Sequence, residues 1–474
     1  MADISPETRL NEGLERLSTD LSDWTEEDNY YRGEHERPFA PEGVNKEYKA
    51  LQEMAVAPWI RLTVRAPVQR LRVDGFRTDS RSDVDRDVWL NVWKANRLES
   101  LQRIPYVDGL VHGRGVVSVS PRARKRNSPK VSPESPRDVY VGYWDDDPFT
   151  PQWGVKRWET VERDLGQVVT RTVEHAVVYT LTDFYRYKRT PGGQWTPETS
   201  GVNILGRVPF VEFRPEADSL GRTLSMIRPL FPMQRAIDTM RFDLLLAAQF
   251  SAYRQRVITG YDPVMRDADG NVLWRKNPDG SLYLDKSGQP QPVLSNPGRP
   301  GVDRMLAFPG ADTKVFDLDE SNLSNYVTVI KMLVQQLAAI SQVPPQYLLG
   351  DMANLSGDAL AAAESTLASL VNDLKYEFGA AWEEVIRLAD IASGGTGESL
   401  ASEVVWGDGE AKSFAQIVDG IVKLIQVGFP RGAAFGMIPG ATQVKVDSWM
   451  QMAQDEAASP YVYNLENTVG DDAA

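Results

Sequence analysis

The stretch ISQVPPQYLLGDMANLSGDALAAAE, residues 340–364, joins two well-patterned helical segments through one with little period. Upstream, Leu323, Tyr326, Val327, Ile330, Leu333, Val334, Leu337 and Ile340 recur at spacings that predict an amphipathic helix over 322–342. Val343-Pro344-Pro345 stops it, because proline lacks an amide donor and its ring clashes with the preceding turn. Downstream, Ser356 is a good N-cap. Leu360, Ala363, Leu367, Leu370, Leu374, Phe378, Trp382, Val385 and Leu388 follow in helical register, so a single helix is expected over 357–391. At helical rise it spans roughly 50 Å. The intervening loop, 343–356, holds Tyr347, Leu348, Leu349, Met352 and Leu355. It is too apolar for an idle surface loop. It either packs on its own protein or meets a partner, and the residues alone do not choose.

Before this region, Leu10, Leu14, Leu17, Leu21 and Trp24 predict a helix over 6–31. A second helical stretch near 46–72 is expected to be broken by Pro58 and Pro67, and a third covers 83–112. From Gly113 the pattern becomes β-branched and alternating: GVVSVS, VYVGYW, WGVKRWE, QVVTRTVEHAVVYTLT, FYRYKR and GRVPFVEF. These predict one antiparallel sheet across 115–215. Helical pattern returns over 223–257, where LLLAAQF is apolar on more than one face and so calls for burial on several sides. DADGNVLW, NPDGSLYL and DKSGQP are three turn signals in succession, a β-meander pattern within 260–320. After the long helix come a short strand, EVVW, a helix over 413–427 closed by Gly428-Phe429-Pro430, and a helix over 442–457. The end, 464–474, is expected to be disordered. The fold class is α+β.

With 474 residues, 42% hydrophobic and 25% charged, the chain is globular and long enough for two to four structural units. It has no cysteine, which excludes disulfides, thiolate metal sites and a thiol nucleophile. Its three histidines, His35, His112 and His175, are widely spaced. The net charge is −14, and residues 357–474 hold 18 acidic against 6 basic side chains. Such a segment does not grip phosphates. MADISPETRL is not a signal peptide, and no apolar run reaches membrane-spanning length, so a cytoplasmic setting is expected.

The sequence holds few active-site motifs. There is no G-x-x-x-x-G-K-S/T or G-x-G-x-x-G loop, no G-x-S-x-G elbow and no H-E-x-x-H. Asp145-Asp146-Asp147 could hold Mg²⁺ in an enzyme, against the plainer reading of a solvated turn. Asp267-x-Asp269-Gly270 is half of a calcium loop, without its remaining carboxylates. Arg122, Arg124, Lys125 and Arg126, followed by Lys130, form an exposed basic run suited to nucleic acid or an acidic partner.

The order of elements resembles the portal (head–tail connector) proteins of tailed double-stranded DNA bacteriophages. The resemblance is carried by YYRGEH at 30–35, IRLTVRAPVQRLRVDGFR at 60–77, VWKANRL at 92–98 and DGLVHGRGVVSVS at 108–120. GRVPFVEFRP at 206–215, the quoted 340–364 stretch and FGAAWEEVIRLA at 378–389 complete it, the last three being the most specific. Arg65-Ala66-Pro67 departs from the pattern, since such proteins more often continue without a proline.

This resemblance implies a ring of about twelve copies around a channel. Each copy would have the portal fold, with wing, two-helix stem, β-hairpin clip and helical crown. On this chain the wing is expected at 1–222, the first stem helix at 223–257, the clip at 258–320 and the second stem helix at 321–342. A tunnel loop at 343–356, a long helix toward the crown at 357–402, a strand returning to the wing at 403–410 and the crown and tail at 411–474 follow. The implied function is a non-enzymatic channel at one capsid vertex, without cofactors, through which DNA is packaged and ejected without sequence specificity. Implied partners are the terminase packaging motor, the head-completion or tail adaptor and the major capsid or scaffolding protein, with no membrane. Assembly would occur in the host cytoplasm and the product would reside in the virion. The expected DNA-channel residues are Pro344, Pro345, Gln346, Tyr347, Leu348, Leu349, Gly350, Asp351, Met352, Ala353 and Asn354. Candidate clip contacts are Asp267, Asp269, Asn271, Trp274, Asp279 and Tyr283, and Arg122, Arg124, Lys125 and Arg126 form a candidate basic contact loop. The alternatives are a Mg-dependent enzyme and another ring-forming scaffold.

Overall fold

Ser5 starts the first helix: its Oγ accepts the Thr8 amide at 3.2 Å, and Pro6 sits in the first turn, where its missing N–H costs nothing. The single helix expected over 6–31 is two, Pro6–Thr19 and Leu21–Arg32, with Asp20 closing one and opening the next. Gly33, at φ 78°, ends the second in the left-handed region that suits glycine. The computed structural model describes residues 4–39, 46–77, 82–121, 128–163, 170–252, 256–259, 264–294, 314–317, 323–350, 357–397, 403–407, 414–438, 441 and 443–458.

The chain divides into two compact units, one of Met1–Pro38, Val56–Asp238 and Lys331–Ala474, the other of Phe39–Ala55 and Thr239–Ile330. In the larger unit, the helix Trp59–Val68 runs through Pro67 instead of breaking there. In the last turn the ring forfeits only one backbone bond. The expected 83–112 helix is segmented: Ser82–Asp87, a π turn over Val88–Trp93, a 3₁₀ turn over Lys94–Asn96, then Leu98–Leu101 and Arg103–His112. Arg97, at φ 58°, makes the break.

The one sheet expected across 115–215 is two. A five-stranded antiparallel meander holds Val139–Tyr143, Pro151–Arg163, Thr170–Thr180, Asp183–Arg189 and Thr196–Val202 in sequence order. A three-stranded sheet places Gly115–Ser120 between Lys130–Glu134 and Phe210–Phe213. Val116, Val139, Val141, Val208 and Phe210 form one core cluster drawing on both sheets. Leu10 of the first helix packs on Trp153, Val155, Ala176, Val178 and Tyr187 of the meander. Gly13 allows this approach, since a Cβ there would lie 2.9 Å from a Val155 methyl.

The 36-residue helix Gly357–Ala392 supplies the aromatic centre of the unit. Phe378 and Trp382 meet Tyr106, Trp93 and Phe213, and Trp382 Nε1 donates to Tyr106 Oη at 2.6 Å with both rings fully buried. The strand Glu403–Trp406 pairs antiparallel with Val73–Arg77. The helices Leu323–Ile340, Phe414–Gln426 and Gln443–Ala458 lie close to their expected bounds, and Gly428 (φ 90°) closes the second of them. The expectation for 464–474 lies outside the described residues.

YYRGEH also acquires a structural role. Past Gly33 the chain delivers His35 to a buried contact, His35 Nε2 to Asp238 Oδ2 at 2.7 Å, on the helix Phe231–Ala252. Tyr30 stacks on both His35 and Phe231. In the smaller unit, Arg256–Thr259 pairs antiparallel with Lys314–Asp317, and residues 264–294 form a hairpin module.

Candidate functional site

Two of the sequence-designated sites can be built from described residues. The first is the entry to the loop 343–356. The Leu323–Ile340 helix ends in a turn with Gln342 at φ 56°, and Pro344 leads into a short helix, Pro345–Leu349, where a loop was expected. Gly350, at φ 69°, closes it, its amide bonded to Gln346 O at 2.9 Å. Val343, Pro344 and Leu348 are buried, Pro345, Gln346 and Leu349 are half-buried, and Tyr347 and Gly350 are exposed. Leu348, at 4% exposure, packs within its own chain.

Tyr347 Oη accepts from Arg70 Nη2 at 2.9 Å and donates to Glu364 Oε1 at 2.8 Å. The Arg70 guanidinium also lies 5.6 Å from the Tyr347 ring centroid. A three-part latch therefore holds the short helix between the end of Trp59–Val68 and the first turns of the long helix. Burial first, then the Glu364 hydrogen bond, pushes the Tyr347 phenol up, so it stays protonated as a donor. Neither Arg70 nor Glu364 stood out in the sequence. Their only signal was membership of two of the stretches quoted above. Asp351, Met352, Ala353 and Asn354 lie outside the described residues.

The second site is the hairpin module. Each of its three turns has the same closure: Gly270, Gly280 and Gly288 donate to Asp267, Asn277 and Asp285 carbonyls. Asp267 Oδ1 accepts the Asp269 and Asn271 amides at 3.0 and 2.8 Å, Asp279 Oδ1 the Ser281 amide at 2.9 Å, and Asp285 Oδ1 the Ser287 and Gln289 amides. These backbone bonds hold the Asp267 carboxyl below its ordinary range. Asp267, Asp269, Asn271 and Asp279 thus belong to the turns, where the Asp267 and Asp279 carboxylates accept backbone amides.

The hairpins do not lie flat as a meander. Met265, Leu273 and Val293 exchange backbone bonds in a closed triangle of 2.8, 2.7 and 2.9 Å, and Arg275, Tyr283 and Gln291 form a second. This three-cornered stack leaves little interior, which keeps Trp274 (41%), Leu282, Tyr283 and Leu284 exposed. Arg275 covers the Tyr283 ring at 4.7 Å.

Arg122, Arg124, Lys125 and Arg126 lie outside the described residues. Asp147 caps a turn through the Thr150 hydroxyl and the Phe149 amide (3.0 Å), which, in that order, depress its pKa. Among the described residues no group of three or more His, Asp or Glu could hold a metal ion, and no helix is long and apolar enough to cross a membrane.

One charged cluster went unseen in the sequence. His112 Nδ1 lies 2.9 Å from Glu27 Oε2, and Nε2 3.4 Å from Asp28 Oδ1. Arg228 pairs with Glu27, and Arg137 with Asp28. Burial depresses the imidazole, but the two carboxylates outweigh it, and the His112 pKa lies above its ordinary value.

A family model for phage portal protein, SPP1 Gp6-like, matches residues 14–459, and the chain therefore belongs to the phage portal proteins, a class of head–tail connectors. Among its relatives is the portal protein of Mycobacterium phage D29, 27% identical over 422 residues, which are 86% of this chain and 79% of the relative. The portal protein of Mycobacterium phage L5 is 27% identical over 438 residues, 90% of this chain and 82% of the relative. Two solved structures align with 14% identity and a TM-score of 0.42. The neck of an empty GTA particle computed with C6 symmetry covers 83% of this chain and 96% of its own, and the neck of a native GTA particle computed with C12 symmetry covers 82% and 96%.

Proposed function

We propose that this chain closes into a ring of about twelve copies at one capsid vertex and forms the channel through which double-stranded DNA enters and leaves. The observation that carries this reading is the family match across residues 14–459. The helices Phe231–Ala252 and Leu323–Ile340 serve as the stem, and residues 258–320 as the clip that receives the packaging motor and the tail adaptor. Exposed Trp274, Tyr283 and Leu284 on a hydrogen-bonded frame suit a docking surface, where aromatic anchors contribute most. The wing, residues 1–222, meets capsid or scaffolding protein. The acidic 357–474 segment lines the head-side exit and repels phosphate, which lets DNA slide.

Residues 343–356 form the tunnel loop. The latch at Tyr347 fixes its first half, and residues from Gly350 onward meet the duplex. Assembly takes place in the host cytoplasm, and the ring resides in the virion. Particle imaging of the purified protein, without nucleotide or metal, tests the reading: closed rings of about twelvefold symmetry are expected. A chain that stays monomeric at micromolar concentration refutes it.

A further inference from the structure

Two exposed helix faces of the larger unit carry opposite charge. On Trp59–Val68 the buried side holds Ile60, Thr63, Val64, Pro67 and Val68, and the other side presents Arg61, Leu62 and Arg65. Leu62 is 42% exposed. On Gly357–Ala392, Leu370, Val371, Leu374 and Phe378 are buried, and the opposite side presents Asp373, Tyr376 and Glu377. Spacings of three and four place each trio on one stripe. Tyr376 is 80% exposed, an unusual state for a large aromatic on a helix whose other aromatics form the core.

Among the described residues, Arg65, Asp373 and Glu377 make no ion pair, and Arg61 has only the Tyr31 ring, at 5.9 Å. Each trio therefore combines two uncommitted like charges with one exposed apolar group, and the signs are complementary. A nucleic acid would suit the arginine face and be repelled by the acidic one. A single partner uses both faces at once: another copy of the chain. Two different faces that match each other make a head-to-tail contact, which closes into a ring when its rotation closes.

We infer that the Arg61–Leu62–Arg65 face of one copy docks on the Asp373–Tyr376–Glu377 face of the next, with the ion pairs around a Leu62–Tyr376 contact. The inference rests on the ring reading and adds the residues that join neighbours. Reversing one face, with Arg61→Glu and Arg65→Glu or with Asp373→Arg and Glu377→Arg, should weaken assembly about tenfold or more by sedimentation. All four reversals together should restore it.

Because the chain has no cysteine, Leu62→Cys with Tyr376→Cys gives a second readout that needs no charge change. Oxidation should yield a ladder beyond dimer, whereas either cysteine alone faces no second cysteine across the contact and should stay monomeric on a denaturing gel. Assembly indifferent to both reversals overturns the inference, as does a folded four-residue variant that fails to reassemble. Rings whose double-cysteine form yields only monomer or an internal disulfide overturn it too. Wild-type rings alongside any of these results leave the ring reading standing, whereas a monomeric wild type removes both.

Discussion

Tyr106→Phe deletes one oxygen from the aromatic centre and tests what that oxygen does. Tyr106 and Trp382 are fully buried, and Trp382 Nε1 donates to Tyr106 Oη at 2.6 Å. Burial drives the Tyr106 phenol far above its ordinary pKa, so the oxygen is a neutral acceptor at any working pH. The ring itself is held by a stacked Phe378 at 5.1 Å and an edge-on Trp382 at 6.4 Å, contacts that phenylalanine keeps. The cost is therefore that of an indole N–H left buried without an acceptor, about 1–3 kcal/mol. Trp382→Phe should cost more, about 2–4 kcal/mol, because it also opens a cavity. Once the donor is gone, adding Tyr106→Phe should cost under about 0.5 kcal/mol, a coupling that a double-mutant cycle isolates. The assay is urea unfolding followed by far-UV circular dichroism on the four chains at one concentration. Equal costs for Tyr106→Phe in both backgrounds would refute the reasoning, since the hydroxyl would then act independently of the indole.

His112 contributes stability that is full below the unfolded histidine pKa, about 6.5, and is lost as pH rises through its higher folded value. Asp108, pushed up to about 6 by burial, acts in the same direction lower on the pH scale. Unfolding midpoints should thus fall faster between about pH 6 and 9 in the wild type than in His112→Gln, and parallel profiles would remove His112 from the account. Tyr347→Phe should release the latch on the short helix, so that the Gly350 amide exchanges with deuterium about three- to tenfold faster while global stability moves little. Unchanged exchange would mean that packing of Leu348 alone holds the segment.

The helices were legible because their signal is local. Leu323–Ile340 and Gly357–Ala392 carry apolar stripes that survive without knowledge of any partner, and Pro344 and Gly428 mark boundaries by backbone chemistry alone. The turns closed by Asp267, Asn277 and Asp285 with a glycine three residues on were legible for the same reason, but their assembly was not. Whether three hairpins lie flat or close a triangle depends on which backbone amide finds which carbonyl, as at Met265, Leu273 and Val293. Pro67 misled because its helix ends one residue later, so the missing donor forfeits a single backbone bond instead of splitting the helix.

Residue order, then, determined the element types, the acidic C-terminal segment, the absence of cysteine chemistry and the stretches that mark the family. Tertiary structure alone decided that the strands between 115 and 215 split into two sheets, and that Tyr106 faces Trp382 across 276 residues. It also decided that Arg70, Tyr347 and Glu364 converge on one hydroxyl and that His112 sits between two carboxylates. The physical reason is range. Periodicity and turn chemistry act over a few residues and can be read along the chain. Burial, hydrogen-bond pairing and charge compensation depend on which distant segments meet, and only the folded arrangement supplies that.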